Sequence, residues 1–499
     1  MTIVKSYPML TAEEVAERIS DGATVAFSGF SPAGAAKAVP RAIAKRARRL
    51  HDHGKPFRIR VLTGASTGET VDDVLADADA VVWRAPYQDS PVLRGQINEE
   101  RVEYVDMHLS HVPQTVLFGF FGKIDCAVIE ATEITSDGRV YLTTSIGASP
   151  TYLRCAENVV IEINRHHSVR LREMADIVTL PPPPHRVPIP IHEPTTKIGW
   201  PYALVDPRKV IAVVETDEPD HIPPFGSQDS SSRRIAGHAV RFLLEEMQAG
   251  RIPPEFLPLQ SGVGNVANAV MAALGEDPDI PPFSMYTEVF QNALVDLMRE
   301  GKLLAASATS LTLTPDQLDL ITEDVDFFAS RIVLRPQELS NHPGIIRRLG
   351  VIAMNTAIEA DIYGNVNSSH ICSQRIVNGV GGSGEFTRNS YLSIFAFPSI
   401  AKQGKISTIV PMCTHVDSNE HSVQVLVTEQ GLADLRGLGP LQRARTIIDQ
   451  CAHPAYRDYL HRYLEDCKAA HYRHDLDRCF EWHRNLAEHG AMIPDLDVS

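Results

Sequence analysis

Hydrophobic positions in the first half of the chain form short runs that alternate with helical or irregular segments. The runs that are typical of buried strands occupy 23–30, 58–64, 78–86, 125–132, 158–164 and 209–216. Apolar residues recur at helical spacing over 37–50 and 231–250, and Thr11 followed by Glu14 is typical of a capped helix start. Because strands that alternate with helices form mainly parallel sheets covered on both faces, the pattern predicts an α/β fold.

A proline-rich segment at 179–196 interrupts this alternation. Proline removes a backbone donor and fixes φ, so we predict that the segment contains neither helix nor central strand. The strand pattern resumes afterwards, and 499 residues exceed what one ordinary core holds. We therefore predict two α/β domains, 1–225 and 226–499.

Composition and charge narrow the classes of partner. The net charge of −15 argues against nucleic acid or an anionic membrane surface, and no run approaches eighteen apolar residues. The seven cysteines are scattered without a CxxC pair, which is typical of reduced thiols. The paired histidines have no carboxylate or cysteine at a ligand spacing, so no metal site is predicted. We expect a cytoplasmic protein that binds neither membrane nor nucleic acid.

The first of three glycine-centred motifs is Gly64-Ala65-Ser66-Thr67-Gly68. It matches the G-x-S-x-G elbow of serine hydrolases, with a strand-like run before it and a helical pattern after it. The alternative interpretation is that Ser66 caps the helix that follows. Only about sixty residues precede the motif, whereas an elbow normally follows several strands.

The second motif, Gly262-Val263-Gly264-Asn265-Val266-Ala267, opens a predicted helix, and Glu288 follows it at the end of a strand-like run. The pattern approaches a dinucleotide fingerprint, which leaves a nicotinamide-dependent oxidoreductase as one alternative. A second interpretation is that the two glycines expose backbone N–H groups to an anion or oxyanion. A plain tight turn is the third.

The third motif, 378–386, has four glycines in six residues. Glycine is unfavourable in helices and strand interiors, so we predict a loop that is neither. Lys402 and Lys405, which come soon after it in the sequence, supply positive charge for a phosphate-bearing ligand.

These motifs resemble those of the acetyl-CoA hydrolase/transferase family, a group of class I CoA-transferases. The resemblance lies in 24–34, 61–68, 260–270, 286–294, 339–369, 378–386 and 427–438, and within the family it is closest to bacterial succinyl-CoA:acetate CoA-transferases. It implies two Rossmann-like open-sheet α/β domains with the active site between them, in a homodimer.

The resemblance also implies roles for individual residues. Glu288 matches the nucleophile that forms a glutamyl-CoA thioester, and the backbone N–H groups of Val263 and Gly382 match the oxyanion donors. Further active-site neighbours are Asn341, Glu429 and Ser66. Coenzyme A, as a substrate and not a tightly bound cofactor, would lie along Gly262, Val263, Gly264, Asn265, Val266, Ile358, Asn378, Gly382 and Lys402.

The reaction implied is CoA exchange between an acyl-CoA and a small carboxylate. Succinyl-CoA with acetate is the first choice, and exchange of propionyl, butyryl or hydroxybutyryl groups, or acyl-CoA hydrolysis, are alternatives. Since a carboxylate with an ordinary pKa is ionised at neutral pH, we expect Glu288 to need no general base.

One departure from the family concerns 215–225. Close members carry arginines there, whereas this chain carries Glu215, Asp217, Glu218 and Asp220, with His221 beside them. If the segment reaches the acyl pocket, unneutralised acids there would disfavour a dicarboxylate such as succinate. The sequence then predicts a preference for monocarboxylates.

Overall fold

The computed structural model describes residues 7–223, 229–494 and 496. The chain divides into two compact units, the first made of 1–224 and 284–345 and the second of 225–283 and 346–499. The predicted domain boundary at residue 225 lies outside the described residues and stays a prediction. The segment that carries Glu288 is grouped with the N-terminal residues.

The strands of the described residues are short, and many follow the predicted runs. They are β1 (Thr24–Phe27), β2 (Ile59–Leu62), β3 (Val81–Ala85), β4 (Glu103–Tyr104), β5 (Cys126–Ile134), β6 (Arg139–Leu142), β7 (Asn158–Asn164), β8 (Ala203–Leu204), β9 (Val210–Thr216), β10 (Leu259–Ser261), β11 (Phe283–Tyr286), β12 (Val289–Gln291), β13 (Leu303–Ala308), β14 (Ser310–Thr312), β15 (Ile332–Leu334), β16 (Ile352–Asn355), β17 (Glu359–Asp361), β18 (Val366–Asn367), β19 (His370–Ile371), β20 (Arg375–Ile376), β21 (Leu392–Ala396), β22 (Ile400–Ala401), β23 (Ile406–Ser407), β24 (Ile409–Val410), β25 (Val425–Thr428) and β26 (Gly431–Asp434).

The helices connect these strands and close the chain. They are α1 (Ala12–Arg18), α2 (Ala38–Asp52), α3 (Val74–Ala76), α4 (Pro91–Asn98), α5 (His111–Leu117), α6 (Ser149–Cys155), α7 (Ser230–Gln248), α8 (Asn265–Glu276), α9 (Asn292–Arg299), α10 (Pro315–Glu323), α11 (Val325–Ala329), α12 (Gln337–Ser340), α13 (Pro343–Leu349), α14 (Ser383–Asn389), α15 (Pro440–Cys451), α16 (Pro454–Asp466) and α17 (Glu481–His489). Across the described part of the chain, none of them is long and apolar enough to cross a membrane.

The first unit contains a mostly parallel sheet. Its parallel strands run in the order β4-β3-β2-β1-β5-β7-β9. In addition, β6 pairs antiparallel with β5, and β8 pairs antiparallel with β6. The order reverses between β1 and β5, and ligands of such sheets bind outside the carboxyl ends of the strands near this point. The prediction of an α/β fold with mainly parallel sheets is confirmed.

Continuous apolar runs explain why these strands are central. All four residues of β1 are buried, as expected for a strand covered on both faces. Helix α2 packs Val39, Ile43 and Ala47 into the same core cluster as Val25 and Phe27. The predicted start of α1 is confirmed, because Thr11 and Glu14 form a capping box.

In the second unit, β10, β16, β21 and β25 are parallel neighbours, and β26 returns antiparallel to β25. Helices α15 and α16 bury Ile447, Ile448 and Leu460 in a core cluster with Phe395 and Leu426 of this sheet. The carboxyl ends of the four parallel strands therefore form one edge of the sheet in this unit.

The proline-rich segment 179–196 contains neither helix nor strand, as predicted. Arg335, which forms a buried ion pair with Asp176, lies beside the carboxyl-terminal end of the segment. The Arg335 guanidinium donates to the carbonyl oxygens of Pro194 at 2.9 Å and Thr196 at 2.6 Å. The carboxyl-terminal end of the segment is thus held by one side-chain donor, the Arg335 guanidinium, in place of a backbone ladder.

The prediction for the glycine-rich segment 378–386 is wrong in its second half. Helix α14 begins at Ser383, and Gly382 is its N-cap residue. Glycine is tolerated at the N-cap and disfavoured mainly in helix interiors, so only 378–382 forms a loop. Gly381 has φ of +54°, a conformation that favours glycine.

Candidate active site

Glu288 lies two residues beyond β11 in the first unit, with its side chain partly exposed. The Asn341 amide donates a hydrogen bond of 2.5 Å to Glu288 Oε1, and Asn341 itself is fully buried at the end of α12. Desolvation raises the pKa of Glu288 to about 7, against the opposing effect of this hydrogen bond. The expectation of a fully ionised carboxylate is therefore wrong: near pH 7 both protonation states are populated.

Ser66 follows the carboxyl end of β2 in the same unit and is buried. Its hydroxyl donates to Asp89, whose pKa is raised by burial and held down in part by this hydrogen bond. Its oxygen also accepts from Gly68 N–H at 3.4 Å. The carboxylate partner, in place of a histidine, gives no support to the serine-hydrolase interpretation.

A small apolar cluster connects the surroundings of Ser66 and Glu288. It contains Ala65 and Val289, the chain neighbours of these two residues, together with Phe30 and Leu109. The sequence-predicted residues Glu288, Asn341 and Ser66 are thus arranged around one part of the first unit.

In the second unit, the predicted CoA-binding segments follow the carboxyl ends of neighbouring parallel strands. Gly262 follows β10, Ile358 comes shortly after β16, Lys402 lies beyond β21, and Glu429 directly follows β25. Because these strands are parallel neighbours, their carboxyl ends lie at one edge of the sheet. The sequence-predicted residues therefore converge on the edge where open α/β sheets bind ligands.

The Gly262–Val266 segment forms the predicted turn and helix start. Gly264 is the N-cap of α8 with φ of +123°, which requires glycine, and Asn265 and Val266 are in the first turn. Val263 is 53% exposed, so this turn lies at the protein surface. A helix N-terminus at the surface suits an anionic group.

Gly382 brings a second helix N-terminus to the same edge. It caps α14, and α14 precedes β21, so the helix starts at the carboxyl edge of the sheet and runs back to the amino edge. Asn378 begins the loop, where its side-chain oxygen accepts from Gly379 N–H at 2.8 Å. Gly382 has φ of −91°, which any residue can adopt.

Three further predicted residues complete this edge. Glu429 is buried and accepts hydrogen bonds from Ser399 N–H at 2.8 Å, from the Ser399 hydroxyl and from Gln430. Burial alone would raise its pKa, but these hydrogen bonds hold the pKa below its usual range. Lys402 is exposed in the turn between β22 and β23, and Ile358 donates from its backbone to Asn367 O.

A buried ionic cluster in the first unit was not predicted. Glu130, His167 and Asp220 lie close enough together to hold a metal ion. However, the Lys37 ammonium contacts Glu130 and lies 3.0 Å from Asp220, so the protein itself supplies positive charge between these carboxylates. Lysine remains protonated there, because the two carboxylates raise its pKa despite burial. This arrangement is typical of a structural ion-pair cluster.

Sequence reasoning also missed the partners of the predicted residues. Asp89 lies 23 positions from Ser66, and Ser399 lies 30 positions from Glu429. No motif spacing relates such pairs. The only available signal was that a buried polar side chain requires some partner.

Comparison with known proteins is consistent with this arrangement. Residues 4–215 match the family model of the acetyl-CoA hydrolase/transferase N-terminal domain, and residues 321–464 match that of the C-terminal domain. Among solved structures, RipA from Yersinia pestis superposes with a TM-score of 0.70 at 24% identity, covering 93% of this chain and 98% of that one. A 4-hydroxybutyrate CoA-transferase from Porphyromonas gingivalis gives 0.63 at 21% identity, covering 92% and 97%. These two similarities support the fold.

Curated relatives are more similar in sequence. A propanoyl-CoA:succinate CoA transferase of Escherichia coli is 58% identical over 97% of this chain and 98% of its own. A succinyl-CoA:acetate CoA-transferase of Clostridium kluyveri is 44% identical over 97% and 90%, and an acetyl-CoA hydrolase of Schizosaccharomyces pombe is 42% identical over 95% and 94%. The prediction of an enzyme of the CoA-transferase class is confirmed. The chain belongs to the acetyl-CoA hydrolase/transferase family.

Proposed function

We propose that this enzyme moves CoA between an acyl-CoA and a small carboxylate through a covalent glutamyl-CoA thioester on Glu288. The observation that carries the proposal is the partly buried carboxyl group of Glu288, which accepts a hydrogen bond of 2.5 Å from the buried Asn341 amide. The convergence of Val263, Gly382 and Glu429 on one sheet edge of the second unit supports a binding site for the CoA substrate.

In this mechanism the ionised Glu288 attacks the acyl-CoA carbonyl and forms an acyl-glutamyl anhydride, while CoA leaves as a thiolate. The thiolate then attacks the glutamyl carbonyl, which releases the first carboxylate and leaves the glutamyl-CoA thioester. A second carboxylate attacks that thioester and reverses the two steps. Glu288 ends unchanged, so no outside proton donor or acceptor is consumed.

A pKa near 7 has a definite consequence for this chemistry. At neutral pH a substantial share of Glu288 is ionised, and its basicity is higher than that of an ordinary glutamate because desolvation disfavours the charge. A partly desolvated carboxylate is a stronger nucleophile toward the thioester. The Asn341 amide restrains the same carboxylate in one orientation.

Each tetrahedral intermediate carries an oxyanion, which requires hydrogen-bond donors to stabilise its negative charge. We assign this role to the backbone N–H groups of Val263 and Gly382. Gly382 is the N-cap of α14 and Val263 directly precedes the N-cap of α8, so both lie close to a helix N-terminus, where the helix dipole favours negative charge. One such donor contributes about 3–4 kcal/mol to catalysis. Ser66 and Glu429 are proposed as neighbours that shape the site.

For the acids, we propose succinate and a short monocarboxylate. The two transferase relatives are named for succinate with propanoyl-CoA and with acetate. Acetate remains the first choice for the monocarboxylate and propionate the main alternative, with butyrate and hydroxybutyrate as further candidates. The yeast relative named as a hydrolase keeps acyl-CoA hydrolysis as a second candidate function.

Three of the four acids in the segment 215–225, which begins in the last two residues of β9, pair with basic side chains. Arg165 pairs with Glu215 at 2.6 Å, Arg41 pairs with Glu218, and Lys37 pairs with Asp220. Each of these three carboxylates therefore has a basic partner in the same unit, although Lys37 is shared with Glu130. The fourth acid, Asp217, lies 3.9 Å from the His166 ring. These partners weaken the sequence-based argument against succinate.

We accordingly expect Glu215→Arg to leave the ratio of specificity constants for succinyl-CoA and acetyl-CoA unchanged within about threefold, a difference below about 1 kcal/mol. The substitution breaks the pair with Arg165, so a small loss of thermal stability is expected instead. Steady-state kinetics with both thioesters test this. A selective gain in succinyl-CoA use would restore the sequence-based idea that the segment faces the acyl pocket.

Asn341→Ala should move the acid limb of kcat/KM to higher pH. The lost amide stabilises the ionised form of Glu288, so its removal raises the pKa further and reduces the reactive fraction at neutral pH. The Glu288 carboxylate would also lose the hydrogen bond that orients it. From the two effects together we expect kcat/KM near pH 7 to fall about tenfold or more. The measurement is the pH profile of both proteins, and an unshifted limb would show that the amide does not act on this carboxylate.

A panel of acyl-CoA donors crossed with carboxylate acceptors tests the proposed reaction. We expect acyl transfer among succinate, acetate and propionate to exceed release of free CoA in the absence of an acceptor. Release of CoA at equal rates with and without carboxylates would instead identify a hydrolase.

The proposed reaction needs no tightly bound cofactor, only CoA thioesters and small carboxylates as partners. We further propose a homodimer in the cytoplasm. Free thiols at all seven cysteines, which all lie among the described residues, are compatible with a reducing compartment. Light scattering combined with size-exclusion chromatography tests the dimer.

A further inference from the structure

The turn between β13 and β14 contains one residue, Thr309, whose side chain is fully buried in the first unit. Its three polar groups make four hydrogen bonds. Its N–H donates to Glu288 O at 2.8 Å, and its carbonyl accepts from Ile146 N–H at 2.9 Å. Its hydroxyl donates to Arg335 O at 2.7 Å and accepts from Gly147 N–H at 3.1 Å.

These bonds belong to a closed ring that returns to Glu288. The ring passes from Thr309 to Gly147 through the hydroxyl, and Gly147 O accepts from Gln337 N–H at 3.0 Å. Gln337 O in turn accepts from Asn341 N–H at 3.1 Å, within one helical turn. The Asn341 amide then donates to Glu288 Oε1, and the Thr309 N–H binds the backbone of the same glutamate.

We infer that Thr309 is a positioning residue for the nucleophile, because its hydroxyl closes the ring that fixes both the backbone and the side chain of Glu288. The inference rests on the proposed function of Glu288. Thr309 itself does not contact the reacting atoms. It influences the position of the Glu288 carboxylate through the hydrogen bonds of Gly147, Gln337 and Asn341.

The physical reason is that attack on a thioester depends on the placement of the carboxylate oxygen. A displacement of about 1 Å can slow such a step by about a hundredfold. Valine has nearly the shape of threonine but can neither donate nor accept. In a Thr309→Val protein, Gly147 N–H and Arg335 O would lose their partner in a dry interior, and the segments would shift or admit water.

The test compares Thr309→Val with Thr309→Ser, which retains the hydroxyl and loses only a methyl group. We expect kcat to fall about ten- to hundredfold in the valine variant, with KM for the acyl-CoA changed by less than about threefold. The residues proposed to bind CoA belong to the second unit, which explains the small effect on KM. The serine variant should stay within about threefold of the wild type in both constants.

Thr132→Val is a matched control from the same unit. Thr132 is also buried and donates its hydroxyl to a backbone carbonyl, Tyr141 O at 3.2 Å, and this hydrogen bond is not part of the ring. All variants are assayed at a temperature where circular dichroism shows them fully folded. Equal losses of kcat in Thr132→Val and Thr309→Val would reduce the effect to general destabilisation and overturn the inference.

Two other results would also overturn it: wild-type turnover in Thr309→Val, or a serine variant as slow as the valine variant. If the valine variant does not fold, Thr309→Cys replaces it, since a thiol is a weak donor and acceptor. Its kcat should lie below that of the serine variant, and a wild-type value would contradict the inference. Glu288→Gln in the same assays separates the two hypotheses. An active glutamine variant refutes the proposed nucleophile, whereas an inactive one beside a fully active Thr309→Val refutes the positioning role alone.

Discussion

Glu288→Ala should reduce acyl transfer by at least about 10⁴-fold, because the covalent route loses its nucleophile and the remaining groups only bind substrate. CoA binding should persist, since the residues proposed to hold CoA belong to the other unit. Transfer kinetics and equilibrium binding of CoA measure the two effects separately.

Glu133→Ala is the matched control for this experiment. Glu133 lies in β5 of the same unit and pairs with Arg172 at 3.2 Å on the protein surface. Its removal should leave transfer nearly unchanged. Substantial transfer by Glu288→Ala, or comparable losses in both variants, would contradict the assignment.

Gly382→Val should lower turnover by about 10²–10³-fold, the effect of removing one oxyanion donor. The side chain would stand beside the N–H that we assign to the oxyanion, so a reacting carbonyl could no longer approach it. Because φ of Gly382 is −91°, the backbone can accept a side chain without strain. Gly382 is buried, so turnover is compared at a temperature where circular dichroism shows the variant fully folded.

Gly439→Val tests whether the loss is specific. Gly439 is also the N-cap of a helix in the second unit, with φ of −73°, and its surroundings are exposed. This variant should retain full turnover. An unchanged kcat in Gly382→Val would show that the loop does not line the reacting carbonyl.

Local patterns account for most of what could be predicted of the fold. The apolar runs that predicted β1, β2, β5, β7 and β9 work because strands buried on both faces need continuous hydrophobic residues. The capping box at Thr11 and the helix start after Gly264 depend on residues within four positions. The start of α14 was missed because glycine at an N-cap resembles glycine in a loop.

The residues of the candidate site were proposed from sequence motifs. The properties that the sequence did not predict depend on contacts between residues far apart in the chain. The pKa of Glu288 is set by burial, which the sequence YTEV does not encode. Asp89, Thr309 and Arg335 act through hydrogen bonds between segments far apart in the chain. The neutralisation of Glu215 by Arg165, fifty positions away, likewise requires the sheet register between β7 and β9.

The most direct test of the central claim is intact-protein mass spectrometry after incubation with acyl-CoA alone. The first half-reaction releases the free acid and leaves CoA on the enzyme, so the wild type should gain the mass of CoA less one water. Peptide mapping should place that adduct on Glu288, and Glu288→Gln should gain nothing. A wild type without an adduct, or the same adduct on Glu288→Gln, would contradict the covalent mechanism.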